Sequence, residues 1–175
     1  MKIVIINYGL GNLFSIEKAF KRIGYEVIVT NDNKIISMAD KLVIPGVGHF
    51  DLGMESLKNN NLEKIIKEKV LNNRIPILGI CLGMQLLTNQ SDEGKNKGLE
   101  IIDLEVSRME SQKFKIPHMG WNKVINNDNL TLLKGIDKDQ TYYFVHSYCI
   151  NNYNSNLKCG FTKYSSFILR VNKTI

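Results

Sequence analysis

The sequence predicts an α/β protein: a doubly wound, mostly parallel sheet with helices on both faces. Two observations indicate this fold class. In the first half of the chain, apolar runs typical of strands buried on both faces alternate with stretches of helical periodicity. After about residue 100 the strand-like segments shorten and follow one another without helices, so the second half adds strands that are partly antiparallel. A chain of 175 residues can build one hydrophobic core, and a single domain over 1–175 is expected.

The predicted elements of the first half follow in regular order. The run KIVIIN predicts the first strand, and a helix ending at Gly24 comes after it, because glycine is common just past a helix C-terminus. The apolar side chains of that helix recur at helical spacing: Leu13, Ile16, Phe20 and Ile23. The runs YEVIVT, KLVIPG and IPILGI predict three further strands. The stretch MESLKNNNLEKIIKEKVL predicts a helix that breaks at its asparagine run, and LGMQLLTN opens the last helix.

Three segments predict the strands of the second half: LEIIDLEVSR, YYFVHSYCI and FTKYSSFILRV. Two asparagine-rich patches, NNDN and NNYNSN, separate them. Asparagine favours turn conformations, so these patches predict loops.

Composition and charge narrow the function classes. The net charge is +6, from 23 basic and 17 acidic side chains, but the lysines are spread over helix-like stretches and no basic motif is interleaved with aromatic residues. A solvated surface is therefore expected, and no nucleic-acid partner. No apolar stretch reaches the roughly 18 residues of a spanning helix and no leader pattern opens the chain, so no membrane partner is expected either. Three cysteines without metal-type spacing predict a reduced, cytoplasmic protein with no metal.

The stretch ILGICLGMQLL places a cysteine where a strand turns into a helix. Gly79-Ile80-Cys81-Leu82-Gly83 has the glycine–x–nucleophile–x–glycine form of the elbow of α/β hydrolases, with cysteine in place of serine. So tight a turn needs small neighbours, and a helix N-terminus favours the thiolate. The N–H of Leu82 would then face a developing oxyanion. The alternative is a buried structural cysteine whose glycines serve packing.

Two glycine-bearing loops follow predicted strands. Pro45-Gly46-Val47-Gly48 comes after the third strand, at the edge where open α/β sheets bind ligands, and its glycines could turn N–H groups toward a substrate. An ordinary connecting loop would carry the same glycines. The loop NYGLGN follows the first strand and begins like a dinucleotide-binding fingerprint. It lacks a third glycine, and no acidic residue ends the second strand near Thr30, so nucleotide binding is not predicted.

These three features, together with KIPHMGWN and YYFVHSY, resemble one family closely. The sequence resembles the glutaminase subunits of imidazole glycerol phosphate synthase, which are class I (triad) glutamine amidotransferases of histidine biosynthesis. The matching motifs, in family order, are N-Y-G-x-G-N-L at 7–13, P-G-V-G-x-F at 45–50, G-x-C-L-G-M-Q-L-L at 79–87, P-H-M-G-W-N at 117–122 and Y-F-V-H-S-Y at 143–148. They span almost the whole chain.

The resemblance implies roles for individual residues. Cys81 would attack the carboxamide carbon of glutamine, release ammonia and leave a thioester that water hydrolyses. The oxyanion donors, after a peptide flip triggered by the partner, would be the backbone groups of Leu82, Val47 and Gly48. The residues expected to bind glutamine are Gly46, Gln85, Glu93, His146, Ser147 and Tyr148. Those expected at the partner face are Asn12, His118, Met119, Trp121 and Tyr143, with a core position as the alternative for Trp121 and Tyr143.

The implied function is that of an enzyme subunit without a cofactor. It would hydrolyse glutamine and pass the ammonia to a (β/α)8-barrel (TIM-barrel) cyclase subunit docked over the active site, which makes imidazole glycerol phosphate and AICAR. Three alternatives stay open. The chain could supply ammonia to a surface-sugar amidotransferase, be a catalytically impaired paralogue that only binds the barrel, or be a stand-alone cysteine hydrolase or redox sensor.

One family motif has no counterpart in this sequence. The family takes its general base from a C-terminal F-H-P-E-x-S segment, whose histidine accepts the thiol proton and whose glutamate orients the imidazole. This sequence contains no H-P-E. A domain missing its C-terminal catalytic segment is therefore expected. Three explanations are open: the sequence is a clipped or frameshifted copy, the segment is truly lost in a paralogue, or a partner or an altered site supplies the base.

The three histidines have other expected places. His146 is the best stand-in for the base, because alternation along its strand could point it at the pocket. His118 is expected to turn a loop at the partner face, and His49 is expected to be exposed. Without the terminal motif, a loosened C-terminal edge is expected from about Tyr164 onward.

Overall fold

A computed structural model gives the fold of the chain. It describes residues 1–112, 114–125, 133–150, 158–164 and 167–172. The chain divides into two compact units, Met1–Asp103 and Leu104–Thr174, each with strands of its own. The single domain expected from the sequence stays a prediction. The patches NNDN and NNYNSN, expected to form loops, lie outside the described residues.

A four-stranded parallel sheet forms the centre of the first unit. Its strands are β1 (Ile3–Ile6), β2 (Val27–Thr30), β3 (Lys41–Ile44) and β4 (Ile77–Gly79). Their spatial order is β2-β1-β3-β4, so the chain runs outward from β1 in both directions, as in doubly wound sheets. The predicted fold class is confirmed.

Helices connect the strands of this sheet. They are α1 (Leu13–Arg22), α2 (Asn33–Ser37), α3 (Phe50–Asn59), α4 (Glu63–Lys67) and α5 (Leu82–Leu86), followed by a two-residue strand β5 (Gln90–Ser91). The predicted break at the asparagine run is confirmed: it separates α3 from α4, and Asn61 takes a φ of 56°, which asparagine tolerates better than most residues. A π-helical turn continues α4. Helix α2 has no counterpart among the predicted elements, because five residues show too little periodicity to detect.

Both faces of the two central strands, β1 and β3, are buried, as predicted for strands without polar positions. On one face Ile3, Ile5 and Val43 pack against helix α1 and its neighbours. The alternate strand residues point to the other face and are almost wholly buried there: Val4, Ile6, Leu42 and Ile44. Each such side chain stabilises the fold by about 1.5–3 kcal/mol relative to leaving it exposed. The sheet edge that carries the loops is therefore rigidly held.

The described strand pairs within the second unit are antiparallel, which confirms the prediction for this half of the chain. β6 (Glu105–Arg108) pairs with β9 (Tyr148–Cys149), β7 (His118–Lys123) with β8 (Thr141–His146), and β10 (Lys158–Lys163) with β11 (Phe167–Asn172). The register of β10 and β11 extends over all six residues of each strand. The loosened edge expected from Tyr164 onward stays a prediction.

The β7–β8 pair has one buried and one exposed face. Met119 lies opposite Val145 and Trp121 opposite Tyr143, and all four side chains are more than half exposed. A core position for Trp121 or Tyr143 is therefore wrong. His118 was expected to turn a loop at the partner face, and that expectation is also wrong. It lies within β7 and is fully buried, because neighbouring side chains of a strand point to opposite faces.

Candidate active site

Cys81 occupies a strained bend between β4 and α5. Its backbone has φ 53° and ψ −116°, values close to the first central position of a type II′ turn, which glycine normally fills. An L-residue held in such a region costs of order 1–3 kcal/mol and persists where the surrounding structure enforces it. The residue is exposed. The alternative of a buried structural cysteine is therefore wrong.

The glycines on either side of Cys81 are required by close backbone approach. A Cβ built on Gly83 would lie 1.9 Å from the carbonyl oxygen of Ile44, and one built on Gly79 would lie 2.5 Å from the Cα of Met84. Neither contact can be relieved by rotating a side chain. The elbow pattern is thus explained by helix α5 pressing against the ends of β3 and β4.

The N–H of Leu82 is a hydrogen-bond donor that helix α5 does not use. The N–H groups of Gly83 and Met84 donate to the carbonyls of Ile80 and Cys81, each at 3.0 Å. Leu82 is the first residue of α5, so its own N–H has no acceptor within the helix. The predicted role of Leu82 as an oxyanion donor is compatible with this geometry.

The Pro45-Gly46-Val47-Gly48 loop borders the elbow. Ile44 and Gly79 are register partners at the ends of β3 and β4, so Gly46 and Cys81 each lie two residues beyond the same point of the sheet. A Cβ on Gly46 would stand 2.6 Å from the backbone nitrogen of Gly83, so the two segments touch. Val47 and Gly48 are exposed, and Gly48 has φ 108°, which favours glycine.

Tyr8 is a site residue that the sequence analysis missed. Its ring is buried, and its hydroxyl donates a hydrogen bond to the carbonyl oxygen of Pro45 at 2.5 Å. Burial, and then the negative charge of the Cys81 thiolate, raise the pKa of the Tyr8 phenol well above its ordinary value. The phenol is therefore a hydrogen-bond donor at neutral pH and cannot act as a base for Cys81. A tyrosine at the end of an apolar run gives no sequence signal for this contact.

Glu93 lies on a loop that is fastened to the N-terminus of α3. One of its carboxylate oxygens accepts from the N–H of Phe50 at 2.9 Å. The carboxylate of Asp51 accepts from the N–H of Asn96 at 2.9 Å, and this bond is the largest cause that lowers the pKa of Asp51. A Cβ on Gly94 would lie 2.1 Å from an Asp51 oxygen. Asp51 and Gly94 therefore position Glu93, and neither was identified from the sequence.

Three more predicted residues have defined places in the first unit. Gln85 is buried in α5, and its Oε1 has no hydrogen-bond partner among the described residues. His49 is exposed, as expected, and its Nδ1 accepts from the N–H of Asp51 at 3.2 Å at the start of α3. Asn12 is exposed and caps α1, accepting from the N–H of Ser15 at 3.1 Å.

The second unit joins two histidines in one chain of hydrogen bonds. The Nδ1 of His146 lies 2.9 Å from the carbonyl oxygen of Tyr148, so it must carry a proton. The Nε2 of His146 faces the Nδ1 of His118 at 3.0 Å, and the Nε2 of His118 faces the side-chain amide nitrogen of Asn122 at 2.6 Å. One arrangement satisfies all three contacts without a buried charge: Asn122 donates to His118, His118 to His146, and His146 to Tyr148.

In this arrangement the acceptor nitrogen of His146 is already engaged, and its role as a stand-in base stays a prediction. In a neutral imidazole only one nitrogen carries a lone pair, and that of His146 already accepts from His118. His118 is itself stacked between Phe144 and Tyr164, with ring centroids 4.8 and 4.0 Å away. Ser147 and Tyr148, expected along the glutamine pocket, follow directly and are half-buried.

Two further features are absent from the residues that the structure describes. No group of three or more His, Cys, Asp or Glu side chains there could hold a metal ion. No helix in the same part of the chain has the length and apolar character needed to cross a membrane.

The fold and the elbow define a class of protein: an α/β domain with a cysteine at the strand-to-helix bend and a glycine loop beside it. The model of the family "Glutamine amidotransferase class-I" matches residues 4–170. The chain belongs to this family.

Curated relatives sharpen the comparison. The chain is 48% identical over 149 residues to imidazole glycerol phosphate synthase subunit HisH 2 of Methanococcus maripaludis, covering 85% of this chain and 74% of the relative. It is 42% identical over 147 residues to subunit HisH 2 of Pseudomonas aeruginosa, covering 83% and 73%. It is 42% identical over 154 residues to subunit HisH of Bacteroides fragilis, covering 86% and 75%.

Solved structures support the fold. A glutamine amidotransferase crystal structure matches with a TM-score of 0.72 at 12% identity, covering 97% of this chain and 89% of that chain. A glutamine amidotransferase from Thermotoga maritima matches with a TM-score of 0.61 at 16% identity, covering 98% and 75%. At such low identities these matches concern the fold alone.

Proposed function

We propose that this chain is the glutaminase subunit of an imidazole glycerol phosphate synthase. It hydrolyses glutamine to glutamate and ammonia and delivers the ammonia to a (β/α)8-barrel cyclase subunit in histidine biosynthesis. The observation that carries the proposal is the exposed, strained Cys81 with the Pro45–Gly48 loop against it, in a chain 48% identical to a relative of that name. The family model runs through both units, which supports a single amidotransferase domain.

The chemistry follows from the elbow. The thiolate of Cys81 attacks the carboxamide carbon of glutamine, and a C–S bond forms while the carbonyl electrons move onto oxygen. The N–H of Leu82 and the backbone of Val47 and Gly48 stabilise that oxygen. The C–N bond then breaks, the nitrogen leaves as ammonia after protonation, and water hydrolyses the thioester to glutamate. Preorganised donors of this kind act most strongly where water is excluded, so a docked partner assists the reaction.

The glutamine itself is bound by groups around the elbow. Gly46 contributes backbone to the glutamine site beside the thiol, and the unpartnered Oε1 of Gln85 is an acceptor for the substrate's ammonium. Glu93 supplies a carboxylate held by the N-terminus of α3. In the second unit, the chain of bonds through His118 fixes the segment His146-Ser147-Tyr148.

The exposed face of β7 and β8 supports a protein partner. Met119, Trp121, Tyr143 and Val145 form an apolar patch of two cross-strand pairs, and the rings of Trp121 and Tyr143 meet edge to face at 5.6 Å. Aromatic residues and methionine are enriched at protein interfaces. In this proposal the cyclase barrel binds to this apolar patch. In the first unit, Asn12 in the loop after β1 is also proposed to contact the cyclase. The cytoplasm is the compartment in which an exposed thiol such as Cys81 stays reduced.

A binding module without glutaminase activity is the second candidate, because the lone pairs of His118 and His146 are already engaged. The test is glutamate release by the purified chain mixed with the cyclase subunit encoded in the same genome. Turnover clearly above a Cys81→Ala variant supports the enzyme, and Cys149→Ala, which removes a buried thiol of the second unit, should keep the activity. Docking without turnover would favour the binding module.

Docking is measured separately. Trp121 is the only tryptophan of the chain, so a fluorotryptophan-labelled sample gives one fluorine NMR signal that reports this surface. The signal should shift and broaden when the cyclase is added. Tight association with an unchanged signal would place the interface elsewhere. Saturable ammonia transfer to a surface-sugar amidotransferase instead of the cyclase would assign the chain to that pathway.

A further inference from the structure

Tyr8 lies where two loops meet at the carboxyl end of the sheet. Its side chain is almost wholly buried, and its hydroxyl donates to the carbonyl oxygen of Pro45 at 2.5 Å. That oxygen lies against the elbow, because a Cβ on Gly83 would stand 2.9 Å from it. The phenol therefore contacts the first peptide of the Pro45–Gly48 loop at the side next to Cys81.

The Pro45–Gly46 peptide is enclosed from several directions. A Cβ on Gly46 would lie 2.8 Å from the hydroxyl of Tyr8 and 2.7 Å from the Cβ of Leu82. A Cβ on Gly11 would lie 2.9 Å from the Cβ of Pro45. The backbone carbonyl of Tyr8 accepts a hydrogen bond from the hydroxyl of Ser56 in α3, which fixes Tyr8 in turn. Among these contacts, the phenol hydroxyl is the one that holds the peptide by its carbonyl.

Fixing one carbonyl fixes a whole peptide plane. The peptide group is planar, so the N–H of Gly46 points away from the carbonyl that Tyr8 holds. A carbonyl oxygen turned toward the thioester-forming centre would repel the developing oxyanion, whereas N–H groups there stabilise it. The orientation of this peptide therefore matters for the chemistry at Cys81.

We infer that Tyr8 is a positioning residue for the oxyanion loop: its hydroxyl holds the Pro45 carbonyl so that the following N–H groups stay available to the Cys81 adduct. The inference deepens the proposed function and rests on it. Tyr8 does not touch the substrate. Burial raises the pKa of its phenol, so the hydroxyl keeps its proton and its bond to Pro45 across the neutral range.

The test compares two alkylating reagents on the purified chain in complex with the cyclase subunit. With a chloroketone analogue of glutamine, the thiolate first adds to the ketone carbon, and the carbonyl oxygen becomes an oxyanion that needs the oxyanion donors. The sulfur then bonds to the neighbouring methylene carbon while its bond to the ketone carbon breaks, the carbonyl re-forms, and chloride leaves with its electron pair. Iodoacetamide alkylates the same sulfur by direct displacement and needs no such donors. Tyr8→Phe keeps the ring and removes one hydrogen bond, so its chloroketone rate should fall about threefold to tenfold while its iodoacetamide rate changes by less than about twofold.

Controls separate positioning from folding. Tyr25→Phe removes the hydroxyl of a partly exposed tyrosine of the same unit and should leave both rates unchanged. If the ratio of the chloroketone rate to the iodoacetamide rate is equal in wild type and Tyr8→Phe, the inference is overturned. If Tyr8→Phe does not fold, the Ser56→Ala variant is used instead, because it removes the hydrogen bond to the Tyr8 carbonyl and keeps the phenol. A lowered ratio of the chloroketone rate to the iodoacetamide rate supports positioning by Tyr8, and an unchanged ratio refutes it.

The proposed function has its own outcome in this experiment. A wild-type chain whose Cys81 reacts with iodoacetamide but is not labelled faster by the glutamine analogue would contradict the proposed function and the inference together. Fast labelling of wild type with an unaffected Tyr8→Phe contradicts the inference alone. Neither outcome depends on turnover, because alkylation needs the thiolate and the loop and no general base.

Discussion

Replacing Cys81 by glycine is expected to stabilise the chain relative to replacing it by alanine. Both substitutions remove the thiol from an exposed position, so little packing is lost in either. They differ in the backbone. Alanine keeps the strained φ of 53° and ψ of −116°, which glycine adopts without a Cβ clash.

The magnitude comes from two opposing effects. Relief of strain at a position of this kind stabilises by about 1–3 kcal/mol, and the larger entropy of glycine in the unfolded chain costs about 0.5–1 kcal/mol. The glycine variant should therefore exceed the alanine variant in free energy of unfolding by roughly 1 kcal/mol. Urea denaturation of the two variants, followed by circular dichroism, measures the difference if the slopes with denaturant agree.

A reversed or vanishing difference would refute the reasoning. If the glycine variant were no more stable than the alanine variant, the bend at Cys81 would not be strained, and the elbow would lose its main structural evidence. Gly24→Ala offers a matched control. Gly24 has φ 85° with no atom near its absent Cβ, so alanine there should destabilise by strain alone.

Three further predictions concern the rest of the site. Gly83→Ala should destabilise the chain by about 1–3 kcal/mol in urea denaturation and abolish glutamate release, because the new Cβ would meet the Ile44 carbonyl. Asp51→Asn should raise the KM for glutamine more than it lowers kcat, by loosening the Glu93 loop. The pKa of Asp51 is lower in the folded chain than in the unfolded chain, where it is about 4. The Asp51 carboxylate therefore stabilises the folded chain above about pH 4, and this stabilisation is lost as the pH falls through the folded pKa. Asparagine does not titrate, so the Asp51→Asn variant should not lose stability in this way. Trp121→Ala should weaken cyclase binding at least about tenfold in titration calorimetry and leave iodoacetamide labelling of Cys81 unchanged.

The sequence sufficed for features that rest on neighbouring residues. The elbow, the break after α3 and the strands of the first half follow from glycine placement, asparagine runs and alternation of apolar segments. Tyr8 and Asp51 were not predicted as site residues, because their contacts join residues 37 and 44 positions apart in the sequence and no local pattern marks such partners. These contacts are also the ones that fix the orientation of the oxyanion loop and of Glu93.

The error over His118 could have been avoided from the sequence. Along a strand, residues of opposite parity point to opposite faces, so His118 and Trp121 cannot both face a partner. Met119 and Trp121 share a parity, and they are the pair found exposed.

The histidines finally bear on how Cys81 loses its proton. The sequence contains three, and each lone pair accepts a hydrogen bond: His49 from the N–H of Asp51, His118 from Asn122 and His146 from His118. None of these imidazoles can take the thiol proton without giving up a bond that holds the structure. Any glutamate release by this chain is therefore expected to rise with pH without the plateau that an imidazole base with a pKa near 6.5 produces. A plateau near that pH, removed by His146→Gln, would show that the chain of bonds opens and that His146 is the base after all.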